Sequence, residues 1–421
     1  MAKTVFVGMS GGVDSSVSAL LLKEQGYKVV GIYMKNWSRD LPGMKCPWAE
    51  DLADAKRVAV KLGIDFEVWD FEEAYREKVV EYMLREFRAG NTPNPDVMCN
   101  QEIKFKLFYE QAMEHGADYI ATGHYARVLQ QEEDTDPSST RSLRPVVTGE
   151  ASLTPLPVGR GRSRKDSIPL LARAVDENKD QTYFLYRISE EAMVHTIFPI
   201  GEMLKPEVKK LAEGNGLHNA YKKESMGVCF VGEVGMKDFL KEYIDIRPGE
   251  IREIESEKVL GYHEGSVFYT IGQRHGLYLN GVAGEVNDGL PYYVVKKDIG
   301  NNVVYVSKNL NDEHIWTKKL ELKDVFVRQL QLSDSRLARS GPSLRAELRS
   351  HRSPLVADGL GSEIGVAVRL RHRAPLIPAK IILGENNAAT LEFENEIKRP
   401  AAGQSAVIYD GEICLGGGII A

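Results

Sequence analysis

The sequence predicts an α/β protein with an N-terminal parallel-sheet domain, a small central β-rich domain and a C-terminal antiparallel, β-barrel-like domain. Three observations carry this expectation. Over the first 125 residues, short apolar runs alternate with segments whose apolar residues recur at helical spacing, the pattern of a parallel sheet covered by helices on both faces. After Val228 glycine becomes frequent and Tyr, Val and Thr alternate with polar residues, which predicts short strands from Ile251 onward. At 421 residues, 43% hydrophobic and 27% charged, the chain has a soluble globular composition. Its length suits about two to four domains.

The elements follow in order. Thr4–Gly8 reads as a strand, Val17–Gln25 as a helix stopped by Gly26, and Val29–Met34 as a β-branched strand. Ala49–Leu62 places Leu52, Val58, Ala59 and Leu62 at helical spacing and closes at Gly63. Phe66–Phe71 is a third strand, and Glu72–Arg88 a helix with Val79, Val80, Met83 and Phe87 on one side. A Pro/Asn loop leads into a helix over Gln101–His115, then a strand over Asp118–Thr122. From Leu129 to about Ser167 the pattern stops. Between Pro137 and Arg173 there are seven Lys/Arg against two Asp/Glu, and this Ser/Pro/Gly/Arg-rich run has too little apolar area to offset its ordering entropy. It reads as a flexible insertion over about 130–168. Helical patterning returns at Ser189–Val194 and Pro206–Asn215, and an antiparallel β-domain is expected from Lys318, interrupted by a second polar insertion over about 332–361. The expected domains are 1–222, 223–290 and 291–421.

Composition removes several functions. With 54 Lys+Arg against 60 Asp+Glu the formal net charge is −6, so a globally basic nucleic-acid binder is excluded while a locally basic face is not. The four cysteines, Cys46, Cys99, Cys229 and Cys414, are too scattered for a disulfide scaffold, and none forms a C-x-x-C pair of the kind that holds structural zinc, so no metal ligands are assigned. Met1-Ala-Lys-Thr runs directly into a strand, without a signal-peptide pattern or a stretch approaching ~18 apolar residues. A cytoplasmic protein without a membrane partner is expected.

The first strand–helix junction reads Gly8-Met-Ser10-Gly11-Gly12-Val-Asp14-Ser15-Ser16. Adjacent glycines let backbone N–H groups close around an anion, the serines add hydroxyl donors, and the helix N-terminus adds partial positive charge. Its position at the carboxyl end of a strand is where open α/β sheets bind ligands. No Gly-Lys-Ser or Gly-Lys-Thr triplet is present, which argues against a Walker-type NTPase.

Two cysteines lie in loops that suit reactivity. Cys99 follows Asn94-Pro95-Asp96-Val-Met and immediately precedes the expected helix, whose dipole would favour its thiolate; Asp96 could act as acid or base. Cys229 lies between glycines in Ser225-Met-Gly227-Val-Cys229-Phe-Val-Gly232, with Lys222 and Lys223 upstream to lower a thiol pKa. Cys414 alternates like a buried strand residue and Cys46 precedes a proline, so both read as structural. An activated oxygen exchanged for sulfur uses two thiols, one carrying a persulfide and one attacking it or accepting the resulting disulfide.

The Gly8–Ser16 loop resembles the PP-loop of the ATP pyrophosphatase superfamily (adenine nucleotide alpha hydrolase-like). Together with Asn94–Asn100, Gly123-His-Tyr-Ala126, Asn178–Leu185, Ser225–Gly232, Phe268–Leu277 and Lys398–Gln404, it resembles the tRNA-specific 2-thiouridylase family. The match spans both ends and the middle of the chain and fails at the two insertions. The resemblance implies ATP-dependent 2-thiolation of the wobble uridine of tRNA, by adenylation of uridine O2 and sulfur transfer from a cysteine persulfide, releasing AMP and pyrophosphate. It implies that ATP is held by Gly8, Met9, Ser10, Gly11, Gly12, Val13, Asp14 and Ser15, with Met34 and Gly123 beside the adenine and Mg²⁺ near Asp14. It further implies that Cys99 is the nucleophile and that Cys229 carries a persulfide from a sulfur-relay protein. Asn94, Pro95 and Asp96 would meet the target base, and His124, Lys179, Asp180, Gln181, Arg371, His372 and Gln404 the tRNA. A monomer is expected.

The residues themselves support an RNA surface only locally. Arg328 to Arg373 holds nine Arg against four Asp/Glu, and Arg369, Arg371 and Arg373 alternate, so in a strand they would line one face. Two other enzymes stay open: an amidating or ligating synthetase, which leaves both cysteines without a role, and a tRNA thiolase in which Asp96, Cys99 and Cys229 hold an iron–sulfur cluster. A non-catalytic RNA-binding protein is the third class, opposed by the intact phosphate loop.

Overall fold

The computed structural model describes residues 2–40, 48–131, 143–145, 169–223, 236–279, 291–309, 315–328 and 363–421. Most of both expected insertions, and Cys46 and Cys229, lie outside the described residues. The chain divides into two compact units: Met1–Val80 with Pro95–Glu233 and Tyr409–Leu415, and Glu81–Asn94 with Val234–Ile408 and Gly416–Ala421.

The first unit is built on a five-stranded sheet of β1 (Thr4–Gly8), β2 (Lys28–Lys35), β3 (Asp65–Asp70), β4 (Tyr119–Thr122) and β8 (Thr196–Ile197), ordered β3-β2-β1-β4-β8. All its pairings are parallel, with Val5 opposite both Val29 and Tyr119. Val5, Val7, Ile32 and Ile120 are wholly buried, as expected of strands covered on both faces. Helices α1 (Val13–Glu24), α2 (Trp48–Leu62) and α9 (Lys205–Gly214) supply Val17, Leu22, Val58, Val208 and Ala212 to the same core. The strand order reverses between β1 and β4, which makes their carboxyl ends the binding crevice of this topology.

Helix α1 begins at Val13, four residues before the apolar periodicity shows it, because its first turn is polar. Ser15, Ser16 and Ser18 are buried there without penalty, since their hydroxyls donate to the Gly12, Gly12 and Asp14 carbonyls. A larger correction concerns the Cys99 helix. Helical structure begins at Pro95, as α5 (Pro95–Met98), continues as a π-helical stretch over Cys99–Leu107 and ends as α6 (Phe108–Glu114), with a kink at Phe105. Proline at the first helical position lacks only an N–H that has no intrahelical partner, so Pro95 starts a helix where it was expected to prevent one. Outside the parallel sheet, β5 (Ala126–Gln131) pairs antiparallel with β7 (Pro169–Arg173) and with β6 (Leu143–Pro145). No helix of the described residues is long and apolar enough to cross a membrane.

The second unit holds a four-stranded sheet and a barrel. The sheet is β9 (Gly249–Glu253), β10 (Val259–His263), β11 (Tyr293–Asp298) and β12 (Val303–Ser307), ordered β10-β9-β12-β11 around Ile251, Leu260, Val294, Val304 and Val306. The helix α10 (Met236–Tyr243) precedes it. Six antiparallel strands, β13 (Trp316–Val327), β14 (Glu363–Arg369), β15 (Ile377–Leu383), β16 (Ala389–Lys398), β17 (Ser405–Asp410) and β18 (Ile413–Ile420), run β13-β16-β15-β14-β17-β18 and close when β18 pairs with β13. Closure requires Gly416, at φ +145°, where a Cβ would lie 2.1 Å from the Phe326 carbonyl.

One expectation fails in this unit. The alternating arginines do not line a strand: β14 ends at Arg369, which is buried, and Arg371 and Arg373 are exposed in a turn closed by the Ala374 N–H donating to Arg371 O. Arg373 takes φ +62°, incompatible with continuing the strand.

Candidate active site

The phosphate loop leaves the end of β1 and enters α1 through Gly11, at φ +76°, and Gly12, whose extended backbone caps the helix without a side-chain acceptor. Ser10 is exposed at its tip, and its hydroxyl accepts from the Gly12 N–H at 3.4 Å while Ser15 Oγ accepts from the Ser10 N–H at 3.2 Å. A Cβ on Gly11 would come 2.4 Å from Asp51 O, and one on Gly123 would come 2.5 Å from Ser15 N. The β4 turn and the N-terminus of α2 therefore press on the loop at positions that only glycine allows. Met9 and Val13 are buried beneath it. Met34 lies beside Gly8, whose Cβ would meet its Cε at 2.8 Å. These residues make a rigid cradle of backbone donors that suits a phosphate chain.

Three side chains that sequence reasoning missed hold the cradle. Lys205, the first residue of α9, donates to Asp14 Oδ1 and Oδ2 at 2.7 and 2.8 Å, with side-chain exposures of 8% and 28%. Tyr125 OH donates to Asp14 Oδ1 at 3.1 Å. The buried Asn219 amide donates to Gly11 O and Ser16 Oγ, both at 2.9 Å. Nothing in the sequence marks Lys205 or Asn219, but Tyr125 stands inside the Gly-His-Tyr-Ala motif. Lys222 bridges Asp51 and Asp54 at 2.7 Å each, and His218 also meets Asp54 at 2.9 Å. Burial opposes the Asp54 charge, yet the hydrogen bonds from Lys222 and His218 win and hold its carboxyl below the ordinary range; the same bonds overcome burial and raise Lys222. Lys222 thus bridges two carboxylates; Cys229, whose thiol it was expected to acidify, lies outside the described residues.

A second cluster forms around the Cys99 helix. Cys99 is buried one turn into the helix, at the α-to-π junction and not at the N-terminus, so the first-turn dipole expected to act on it is displaced to Asp96. Burial pushes the Asp96 carboxyl above its usual range, with Lys104 partly offsetting this. His124 is held between Thr122 Oγ1 at 2.8 Å on Nδ1 and Lys104 Nζ at 3.5 Å on Nε2, against the rings of Phe105 and Phe198. Burial, then the Lys104 charge, drive the His124 pKa well down, so the imidazole stays neutral. The chain neighbours Gly123 and His124 therefore serve both clusters, one touching the phosphate loop and the other facing the Cys99 helix. Asn100, next to Cys99, donates to Phe184 O at 3.1 Å, and Gln101 accepts from Arg187 at 2.6 Å, docking this helix on α7 (Thr182–Leu185).

Other expected site residues are more dispersed. Asp180 is buried and accepts from the Thr182 N–H and hydroxyl and from the Ala174 N–H, so it shapes its loop. Gln181 accepts from the Tyr125 N–H at 2.8 Å and Lys179 is half-buried. Pro95 is buried and Asn94 half-buried. In the second unit Arg371 is exposed, His372 half-buried, and the Gln404 amide donates to Thr92 O at 2.7 Å. Cys414 is fully buried in β18. Among the described residues no group of three His, Cys, Asp or Glu could hold a metal ion, so the iron–sulfur reading gains no support there.

Three family descriptions match the chain in order: a tRNA methyl transferase HUP domain over residues 3–233, a tRNA methyl transferase PRC-barrel domain over 237–308 and an aminomethyltransferase β-barrel domain over 346–420. Full-length relatives carry a more specific name. The chain is 40% identical to the tRNA-specific 2-thiouridylase MnmA of Idiomarina loihiensis, covering 100% of this chain and 96% of that one. It is 42% identical to the protein of the same name from Shewanella amazonensis, over 100% and 94%, and 41% identical to that of Pectobacterium carotovorum, over 99% and 97%.

Proposed function

Because this chain belongs to the tRNA-specific 2-thiouridylase family, we propose that it exchanges O2 of the wobble uridine of tRNA for sulfur, with ATP as activating substrate. The observation that carries the reading is the β4 turn: Gly123 packs on the phosphate loop while His124 faces the helix of Asp96 and Cys99. Nucleotide chemistry and thiol chemistry are thereby tied to one rigid turn. An amidating synthetase would leave the second cluster idle.

ATP supplies the leaving group, converting O2 into the oxygen of AMP. Gly8 to Ser15 hold its phosphates, with Met34 and Gly123 flanking the base; Asp14 would hold a Mg²⁺, which would screen the charge. Lys205 is held against Asp14, so a cation taking that carboxylate leaves a buried ammonium ready for phosphate. Asp96, retaining its proton to higher pH than an ordinary aspartate, suits proton transfer at the target base beside Asn94 and Pro95. Neutral His124 suits hydrogen bonding without adding charge.

The terminal sulfur of a Cys229 persulfide, loaded by a sulfur-relay protein, bonds to C2 as AMP departs. The Cys99 thiolate then attacks the Cys229 sulfur, breaking the S–S bond, leaving sulfur on the base and a Cys99–Cys229 disulfide for later reduction. His124, Lys179, Gln181, Arg371, His372 and Gln404 provide tRNA contacts, with Asp180 shaping the loop between two of them. A monomer acting in the cytoplasm fits this chemistry.

The test is incubation with ATP, a labelled sulfur donor and bulk tRNA, followed by nucleoside analysis. Wild type yields 2-thiouridine, and Cys99→Ser and Cys229→Ser each yield none while still binding ATP. Normal thiolation by either variant would sink the relay.

A further inference from the structure

The reaction leaves the Phe268–Leu277 motif without a role, and its first two residues line a cavity of about 290 Å³ with Pro248, Tyr262, His263 and Tyr278. Tyr262 and Tyr278 are 58% and 70% exposed, a large aromatic surface to leave in water. Lys237, also lining the cavity, lies 5.2 Å over the Phe268 ring. Lys237 and Lys241 share the single carboxylate of Glu264 at 2.7 and 3.2 Å, so by count the rim keeps one positive charge.

One lining residue, His263, is held by packing behind the cavity surface. His263 is 3% exposed, and its Nε2 meets Asn302 O at 3.1 Å. A carbonyl only accepts, so Nε2 carries the proton. Burial lowers the His263 pKa and keeps the ring neutral. Nδ1 is then a bare lone pair, buried with no hydrogen-bond partner. Gly249 makes this arrangement possible, since a Cβ there would strike Asn302 O at 2.0 Å and His263 Cε1 at 2.7 Å.

We propose that this cavity takes an unpaired nucleobase of the RNA substrate, stacked on Tyr262 or Tyr278, with its phosphate beside Lys237. Aromatic faces beside a lysine are the recurring platform for single-stranded nucleic acid. The inference rests on the proposed tRNA substrate and adds a second base contact, away from the sulfur chemistry.

The test uses full-length protein and bulk tRNA. Tyr278→Ala and Tyr262→Ala alter exposed side chains, so folding should survive. At least one should raise the KM for tRNA about tenfold, ~1.4 kcal/mol, with kcat and ATP affinity unchanged. Replacement by Phe at the same position should restore it, because stacking needs the ring and not the hydroxyl. Ultraviolet crosslinking to tRNA should place a crosslink on a peptide containing Tyr262 or Tyr278. Affinities within twofold of wild type and crosslinks elsewhere overturn the pocket while leaving the tRNA substrate intact. Unchanged tRNA affinity with slowed sulfur loading from the donor protein overturns it in favour of a protein-docking surface. Failure of wild type to bind any tRNA overturns the substrate and the pocket together.

Discussion

At the phosphate loop, charges of opposite sign meet: the buried Lys205 with Asp14, and the half-buried Lys222 with Asp51 and Asp54. Around the Cys99 helix, Asp96 has its pKa raised by burial and His124 has its pKa lowered by the same cause, with Lys104 the charge common to both. The two clusters share the β4 turn, yet one pairs its charges at salt-bridge distance and the other drives its groups toward neutrality. The difference teaches how one fold divides labour. Paired charges can be redistributed when an anion arrives, whereas groups stripped of solvent are pushed toward their uncharged forms.

Removing a cation tests the paired side most severely. Lys205→Met leaves Asp14 with Tyr125 as its remaining described donor and should cost about 3 kcal/mol of stability in urea titration, near the lower bound for a broken buried pair because Asp14 is partly exposed. The double variant Asp14→Leu/Lys205→Met should recover much of that loss while losing ATP consumption. A neutral single variant would mean the pair carries no structural weight.

The unpaired side should respond in the opposite direction. Asp96→Asn is expected to slow thiolation about 100-fold, as loss of a general acid–base does. It should also stabilise the fold at neutral pH. A carboxyl whose folded pKa is raised binds its proton more tightly in the folded state, so wild-type stability falls as pH rises from the ordinary aspartate value through the folded one. The amide has no such loss. Thermal unfolding of both proteins from pH 4 to 8 measures it, and parallel curves would remove Asp96 from the argument.

The smallest effect is expected at Lys222, whose side chain is 30% exposed. Lys222→Met should cost about 1 kcal/mol. The Asp54 carboxyl, held below its ordinary pKa, contributes stability that is present above that value and lost as pH falls through the folded one. The variant should therefore begin acid unfolding at higher pH, read by circular dichroism, and an unshifted acid limb would assign the stabilisation elsewhere.

The phosphate loop was legible because its chemistry is local: Gly11, Gly12 and three serines within seven residues can be read without knowing what packs on them. The Cys99 helix was misread at its start because Pro95 both breaks and begins helices, and only the backbone shows which. The arginine alternation from 369 to 373 misled for a related reason: period two implies one face only while the strand lasts, and β14 ends at Arg369.

By itself the sequence determined the alternation of strands and helices, the cradle glycines, the two reactive-thiol candidates and the resemblance to a thiolating family, because these depend on residue type and short spacing. Tertiary structure alone decided that Lys205 answers Asp14 across 191 residues, that Asn219 braces Gly11 across 208, and that the β4 turn brings His124 to Lys104. It also decided which groups keep their charge. Ionisation in a protein interior is set by neighbours distant in the chain, and no local pattern encodes them.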